Sequence, residues 1–162
     1  MLKIRKAIVK DAPLILSFIH ELAEYEREPS AVRATEDGLI SDGFSASPKF
    51  RVIIAEWDGN PAGMAFFFHH YSTWQGRQGL FLEDFFVRPQ FRGKGVGKAL
   101  MVHLARIAIA ENCYGMRWEV LDWNTTAIDV YQRLGARFRE HGRVMQITGE
   151  DLKRLSETRL SK

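Results

Sequence analysis

Gly79-Leu80-Phe81-Leu82-Glu83-Asp84-Phe85-Phe86-Val87 runs directly into Arg88-Pro89-Gln90-Phe91-Arg92-Gly93-Lys94-Gly95-Val96-Gly97-Lys98-Ala99-Leu100. The first of these stretches is apolar on both faces of an extended chain, the mark of a central strand. Pro89 ends it, a glycine cluster turns the chain, and Val96 to Glu111 has the apolar spacing of a long helix. Outward from this unit, strands and helices alternate. Leu2 to Val9 alternates apolar with basic residues, as a half-buried strand does. Asp11 is placed to cap a helix with Pro13 in its first turn and Leu14, Ile15, Phe18, Ile19 and Leu22 along one face, ended by Pro29. A shorter helix is expected from Thr35 to Gly43. Phe50 to Trp57 and Pro61 to His70 read as a hairpin about Asp58-Gly59-Asn60, followed by a polar connection from Tyr71 to Gln78.

Downstream, Met116 to Leu121 reads as a strand and Asn124 to Leu134 as a helix closed by Gly135. Two further strands, near Arg137 to Glu140 and Arg143 to Thr148, precede a short basic tail helix. Hairpins mixed with strand-helix-strand units predict a mixed α/β fold. The 162 residues fit one domain, 1–162, with 46% apolar and 27% charged residues. The longest apolar run, Met64 to Phe68, is far too short to span a membrane. The opening Met-Leu-Lys-Ile-Arg-Lys lacks a secretory apolar stretch, so a cytoplasmic protein is expected. A single cysteine, Cys113, excludes an intrachain disulfide and a cysteine-based zinc site.

The net charge of +3 conceals two opposed patches. Arg88 to Arg106 holds five basic residues and no acid, whereas Ile19 to Asp42 holds seven acids and two basic residues. Free N–H groups at a helix start form an anion site, and glycines let a phosphate approach them. A Walker loop does not fit, because Gly93 to Gly97 is one residue short and Ala99 offers no hydroxyl to magnesium. A dinucleotide fingerprint lacks its third glycine at Leu100. What fits is R-x-x-G-x-G from Arg92 to Gly97. This resembles the acyl-CoA loop of the GCN5-related N-acetyltransferases, whose N–H groups hold the coenzyme A pyrophosphate.

Glu83 and Asp84 interrupt an otherwise apolar strand. Neighbours on a strand point to opposite faces, so the two acids are not expected to form one bidentate site. A carboxylate on a buried strand marks a site, or else sits at the sheet rim or pairs with an arginine. A primary amine is a natural partner, because its proton must leave before the nitrogen attacks a thioester. Glu83 is placed to take that proton directly or, since a carboxylate is a weak base, through water.

In Val120 to Ala136, Asn124 stands at an N-cap position and Tyr131 lies two turns along the same face. A phenol there can protonate a leaving thiolate, although spacing alone favours a core tyrosine with a satisfied hydroxyl. Here the resemblance extends to the diamine branch of the family, the spermidine/spermine and thialysine N-acetyltransferases. The matching pieces are Leu22 to Glu26, Asp42-Gly43-Phe44, Tyr71 to Trp74, Leu82 to Val87, Arg92 to Gly97 and Leu121 to Asn124. Ser72-Thr73-Trp74 and Leu121-Asp122-Trp123-Asn124 look more like the thialysine type.

The resemblance implies a central, mostly antiparallel sheet flanked by helices, with a parallel strand pair around the acyl-CoA site. It implies acetyl-CoA as cosubstrate, a small cationic amine as acceptor and a homodimer. Phe85, Phe86 and Val87 are expected along the pantetheine. Arg92, Gly93, Lys94, Gly95, Val96, Gly97 and Lys98 are expected at the pyrophosphate, and Asn124, Ala127 and Tyr131 beside the thioester. Tyr131 becomes the general acid, and Tyr25, Glu26, Glu83, Asp84 and Trp74 the amine site. One departure is Gly142-Arg143, where the branch has Gly-Trp. The same chemistry on an amino acid, an antibiotic or a protein amine remains an alternative, as does an inactive CoA-binding regulatory domain. No metal, nucleic-acid or membrane partner is expected: His69 and His70 are strand neighbours facing opposite ways, and the basic tail lacks interleaved aromatics.

Overall fold

The computed structural model describes residues 1–140 and 142–158. They fall into two compact units, Met1–Glu119 and a second that begins at Val120.

The first unit is built on a five-stranded sheet in the order β1-β2-β3-β4-β5. Its strands are β1 (Leu2–Lys6), β2 (Arg51–Trp57), β3 (Asn60–Ser72), β4 (Arg77–Val87) and β5 (Met116–Trp118). The first four pair antiparallel, and β4 and β5 run parallel. Helices α1 (Ala12–Tyr25), α2 (Glu36–Gly43) and α3 (Val96–Ala110) complete the unit. Asp58 and Gly59 both take positive φ in the β2–β3 turn, the two-residue turn that matches strand twist.

Three local expectations are corrected. The stretch from Tyr71 to Gln78 is a hairpin rather than a connection, with Ser72 paired to Arg77. Cross-strand pairing extends β3 and β4 into residues whose composition reads as loop. Asp11 stands before α1 but makes no side-chain bond to that helix. It accepts instead from Ile8 N–H at 2.8 Å and from the Arg5 guanidinium at 2.7 and 2.9 Å, which holds its carboxyl below the usual range. The two strands expected near Arg137 to Glu140 and Arg143 to Thr148 do not form among the described residues.

Alternation along the strands sorts the core into two faces. Val52, Ile54, Met64 and Phe86 pack with Ile15, Phe18 and Leu39 from α1 and α2. Phe18 meets Phe86 edge to face, with ring centres 6.1 Å apart. Ile53, Ala65 and Phe67 turn the other way, toward the face covered by α3, whose Val96, Leu100, Leu104 and Ala108 are buried. Arg88 ties the end of β4 to α1. Its Nη2 lies 2.6 Å from Glu21 Oε1, its Nε lies 2.9 Å from Glu21 Oε2, and it covers the Phe18 ring at 4.7 Å.

The second unit holds α4 (Thr125–Arg133) and α5 (Gly149–Ser156). Asn124 caps α4 as the sequence implies, accepting from Ala127 N–H at 3.3 Å. Gly135 at φ 94° closes it, with Ala136 N–H donating to Tyr131 O.

Candidate active site

Three features of the first unit converge at the end of β4. The first is the glycine loop. Gly93 and Gly95 take φ of 74° and 83°, a region that penalises any side chain, and a Cβ on either would meet nothing within 4 Å. The loop is thus open to solvent rather than packed. Helix α3 starts at Val96, and its first helical bond runs from Ala99 N–H to Gly95 O. The N–H groups of Val96, Gly97 and Lys98 therefore point out of the helix end toward solvent, where the macrodipole is positive. No acid lies in the first turn to neutralise it. Lys94 lies over the rings of Trp57 and Phe91, 5.5 Å from each centre. A helix start of this kind can receive an anion.

The second feature is an open strand edge. The parallel ladder to β5 covers only Leu80, Leu82 and the residue between them. That ladder ends at Leu82 and does not reach Val87. Arg88 N–H donates to Ala62 O on the β3 side. Backbone groups alternate sides along an antiparallel strand, so the Val87 N–H and C=O point to the open side. Such an edge pairs with any extended chain that brings amide groups to it.

The third feature is a bulge. Phe67 pairs with Leu82 but Phe66 pairs with Asp84, so Glu83 is an extra residue on β4. Directly paired residues share a sheet face. Without the bulge Asp84 would follow Leu80 and Leu82 onto the α3 face; with it, Asp84 joins Phe66 and Phe86 on the α1 face. Phe85 and Val87 then turn toward α3, where their side chains lie 3.7 and 3.8 Å from a Cβ built on Gly97.

The bulge brings together acids that plain alternation would separate. Asp84 is half-buried, and desolvation pushes its carboxyl up to about 6, with the charges of Glu83 and Glu26 adding to the rise. Glu26 follows α1 directly, and burial raises its carboxyl too. The end of α1 carries negative helix-dipole charge, which adds to the local demand for a cation. Tyr25, one residue earlier, has Arg92 over its ring at 4.6 Å.

Most of the residues singled out in the first unit thus lie at the end of β4 or in the loop that follows it. Phe86 differs in kind, since its side chain is in the core. Arg88, counted with the basic patch, is occupied by Glu21. Trp74 stands apart, 97% exposed at the tip of the β3–β4 hairpin. Along β4 that tip is about 20 Å from Glu83. A cavity of about 400 Å³ between the start of β2 and the C-terminal half of α3 contains none of the predicted site residues. In the second unit Asn124, Ala127, Ile128 and Tyr131 form one half-buried face of α4, while Thr125, Thr126, Asp129 and Val130 are exposed.

Among the described residues no group of His, Cys, Asp or Glu is arranged to hold a metal ion, and no helix is long and apolar enough to cross a membrane. Residues 15–136 match the model of the Acetyltransferase (GNAT) family. A thialysine N-epsilon-acetyltransferase of Sus scrofa is 40% identical over 142 residues, 83% of each chain. The human spermidine/spermine N(1)-acetyltransferase-like protein 1 is 36% identical over 141 residues, 83% of this chain and 20% of that one. An integron cassette protein from the mobile metagenome of V. cholerae superposes with a TM-score of 0.80 at 28% identity, covering 97% of this chain and 98% of its own. A helix start that can receive an anion suits the pyrophosphate of coenzyme A. With these relatives, the chain belongs to the acetyltransferase (GNAT) family and is an acetyl-CoA-dependent N-acetyltransferase of amines.

Proposed function

We propose that the acceptor is a small amine carrying more than one positive charge or amino group, of the thialysine, short-diamine or polyamine type. The observation that carries this reading is the group formed by Glu26, Glu83 and Asp84 at the open end of β4, with Asp84 held near 6 by burial and like charge. Three carboxyl groups exceed the demand of one ammonium, so the site favours an acceptor with a second cationic centre. The thialysine N-epsilon-acetyltransferases among the relatives carry such a substrate in their name.

Acetyl-CoA supplies the acetyl group as a thioester. On the proposed reading Arg92 to Lys98 hold its pyrophosphate through the α3 N–H groups. The backbone of Phe85, Phe86 and Val87 takes the pantetheine as a short added strand. Asp84, Glu26 and Tyr25 bind the acceptor. Glu83 receives the ammonium proton through water, because a carboxylate is too weak a base to take it unaided from a group with a pKa of about 10. The neutral nitrogen attacks the thioester carbonyl directly, with no covalent enzyme intermediate. Cys113 is buried and its thiol is pushed up, which suits a packing role rather than a nucleophile. Tyr131, on the face of α4 shared with Asn124 and Ala127, gives its proton to the departing thiolate.

A cytoplasmic homodimer of this one catalytic domain completes the reading. Trp74 supports the dimer: it belongs to the amine-site set, yet its place in the chain is remote from Glu83 and wholly exposed, as suits a side chain that enters a partner's site. The exposed Phe138, Val144 and Met145 offer further apolar surface.

A panel of amines assayed with acetyl-CoA, following free thiol, tests the acceptor. Thialysine, short diamines and polyamines should exceed monoamines of equal length. Turnover confined to peptides overturns the reading.

A further inference from the structure

Arg92 touches both halves of the proposed site at once. Its Nε–H donates to Val87 O at 2.9 Å, the carbonyl on the open edge of β4. Its guanidinium carbon lies 4.6 Å from the centre of the Tyr25 ring and 5.9 Å from that of Phe86. Tyr25 is the neighbour of Glu26, whose charge acts on Asp84. One side chain thus covers the carbonyl where a pantetheine would pair and an aromatic face where an ammonium would dock. The influences on Asp84 are burial and two acids, so Arg92 takes the ring without discharging the carboxyls.

Resting on the acceptor reading above, we propose that Arg92 is a positioning residue that couples the two substrate sites. It stands in for the acceptor's ammonium on Tyr25 until the pyrophosphate of acetyl-CoA draws it into the glycine loop. A guanidinium on an aromatic face is held weakly where water reaches it. A pyrophosphate offers it charge-assisted, bidentate bonds about twice as strong as neutral ones. Arg92 immediately precedes Gly93, so the exchange needs a change of side-chain rotamer and no movement of the fold. Its departure uncovers the Val87 carbonyl and takes one cation off the Tyr25 ring, and the anion neutralises a charge that repels the incoming amine. The amine then binds the acetyl-CoA complex more tightly than it binds the chain alone, and by linkage it tightens acetyl-CoA by the same factor.

Desulfo-CoA, which carries the pyrophosphate but transfers no acyl group, allows the test at equilibrium. The Arg92 Nε–H signal in ¹⁵N spectra needs no amine and should shift when desulfo-CoA saturates the protein. A signal that stays in place overturns the proposal. Calorimetric titration with thialysine should show about a fivefold gain in affinity when desulfo-CoA is present. In Arg92→Ala the two affinities should be equal and at the tighter level. Arg92→Gln, which keeps a donor on a long stem, should behave likewise and guards against a folding defect. Equal affinities in the unaltered protein, or coupling that persists in both variants, overturns the proposal. A shifted Arg92 signal with no thialysine binding in either state supports the release of Arg92 and overturns the thialysine-type acceptor instead.

Discussion

Glu26, directly after α1, raises the pKa of Asp84, in the second half of β4. The influence reaches Asp84 because one extra residue, Glu83, turns the end of β4 over onto the α1 face. Asp84 ionises near 6 in the fold against an ordinary 3.8. Between those values the folded chain holds more protons than the unfolded one. Stability from this group is therefore complete below about pH 4 and is lost as pH rises through 6. Asp84→Asn should remove that loss. Urea unfolding should show the variant gaining about 2 kcal/mol on the unaltered protein between pH 4 and pH 8. No gain, or one of opposite sign, contradicts a buried, repelled carboxyl.

The two neighbouring acids are assigned different work, and kinetics can separate them. If Glu83 relays the proton, Glu83→Gln should lower kcat about 10²- to 10⁴-fold and leave the KM for acetyl-CoA nearly unchanged. If Asp84 holds the acceptor, Asp84→Asn should mainly raise the KM for the amine. The same loss should appear in the unaltered enzyme as pH falls below 6 and Asp84 takes a proton. Interchanged effects reverse the assignment.

The deciding unit was legible because its chemistry is local. An apolar strand, a proline stop and R-x-x-G-x-G state where the chain extends and where it exposes N–H groups, and the structure places β4, the loop and α3 accordingly. The bulge at Glu83 was not legible, since no glycine or proline marks it and it depends on how β3 is registered. Strict alternation therefore assigned the two acids their faces without knowing that the strand changes phase between Leu82 and Asp84. The segments from Arg137 to Glu140 and from Arg143 to Thr148 failed for a related reason. They hold strand-forming residues such as Phe138, Val144, Ile147 and Thr148, but a strand exists only with a partner edge, and Phe138, Val144 and Met145 are exposed.

Two glycines of the loop make opposite demands. Gly95 sits at φ 83° and needs its missing side chain for conformation. Gly97 has no positive φ, and a Cβ there meets Phe85 and Val87 at ordinary contact distance. Gly95→Ala should cost about 1–2 kcal/mol of local strain or displace the loop, weakening acetyl-CoA binding roughly tenfold or more in calorimetry. Gly97→Ala should bind close to normally. The reverse order would mean that the anion site is not shaped by the turn at Gly95.

Tyr131 is where the sequence left two readings, a core phenol and a proton donor, and a single oxygen distinguishes them. Tyr131→Phe keeps the ring and therefore most of the packing on its face of α4, where the helix already has a capped start at Asn124 and a glycine stop at Gly135. A thiol ionises at about 8.5, so its thiolate is a fair leaving group even without help. The expected loss is therefore at the modest end of acid catalysis, about 10²-fold in kcat. The affinity for desulfo-CoA should be unchanged, because binding precedes the charge that the phenol neutralises. Turnover equal to that of the unaltered enzyme would return Tyr131 to the core reading. A fall in kcat matched by an equal fall in desulfo-CoA affinity would assign it to holding the cosubstrate rather than to the departure of the thiolate.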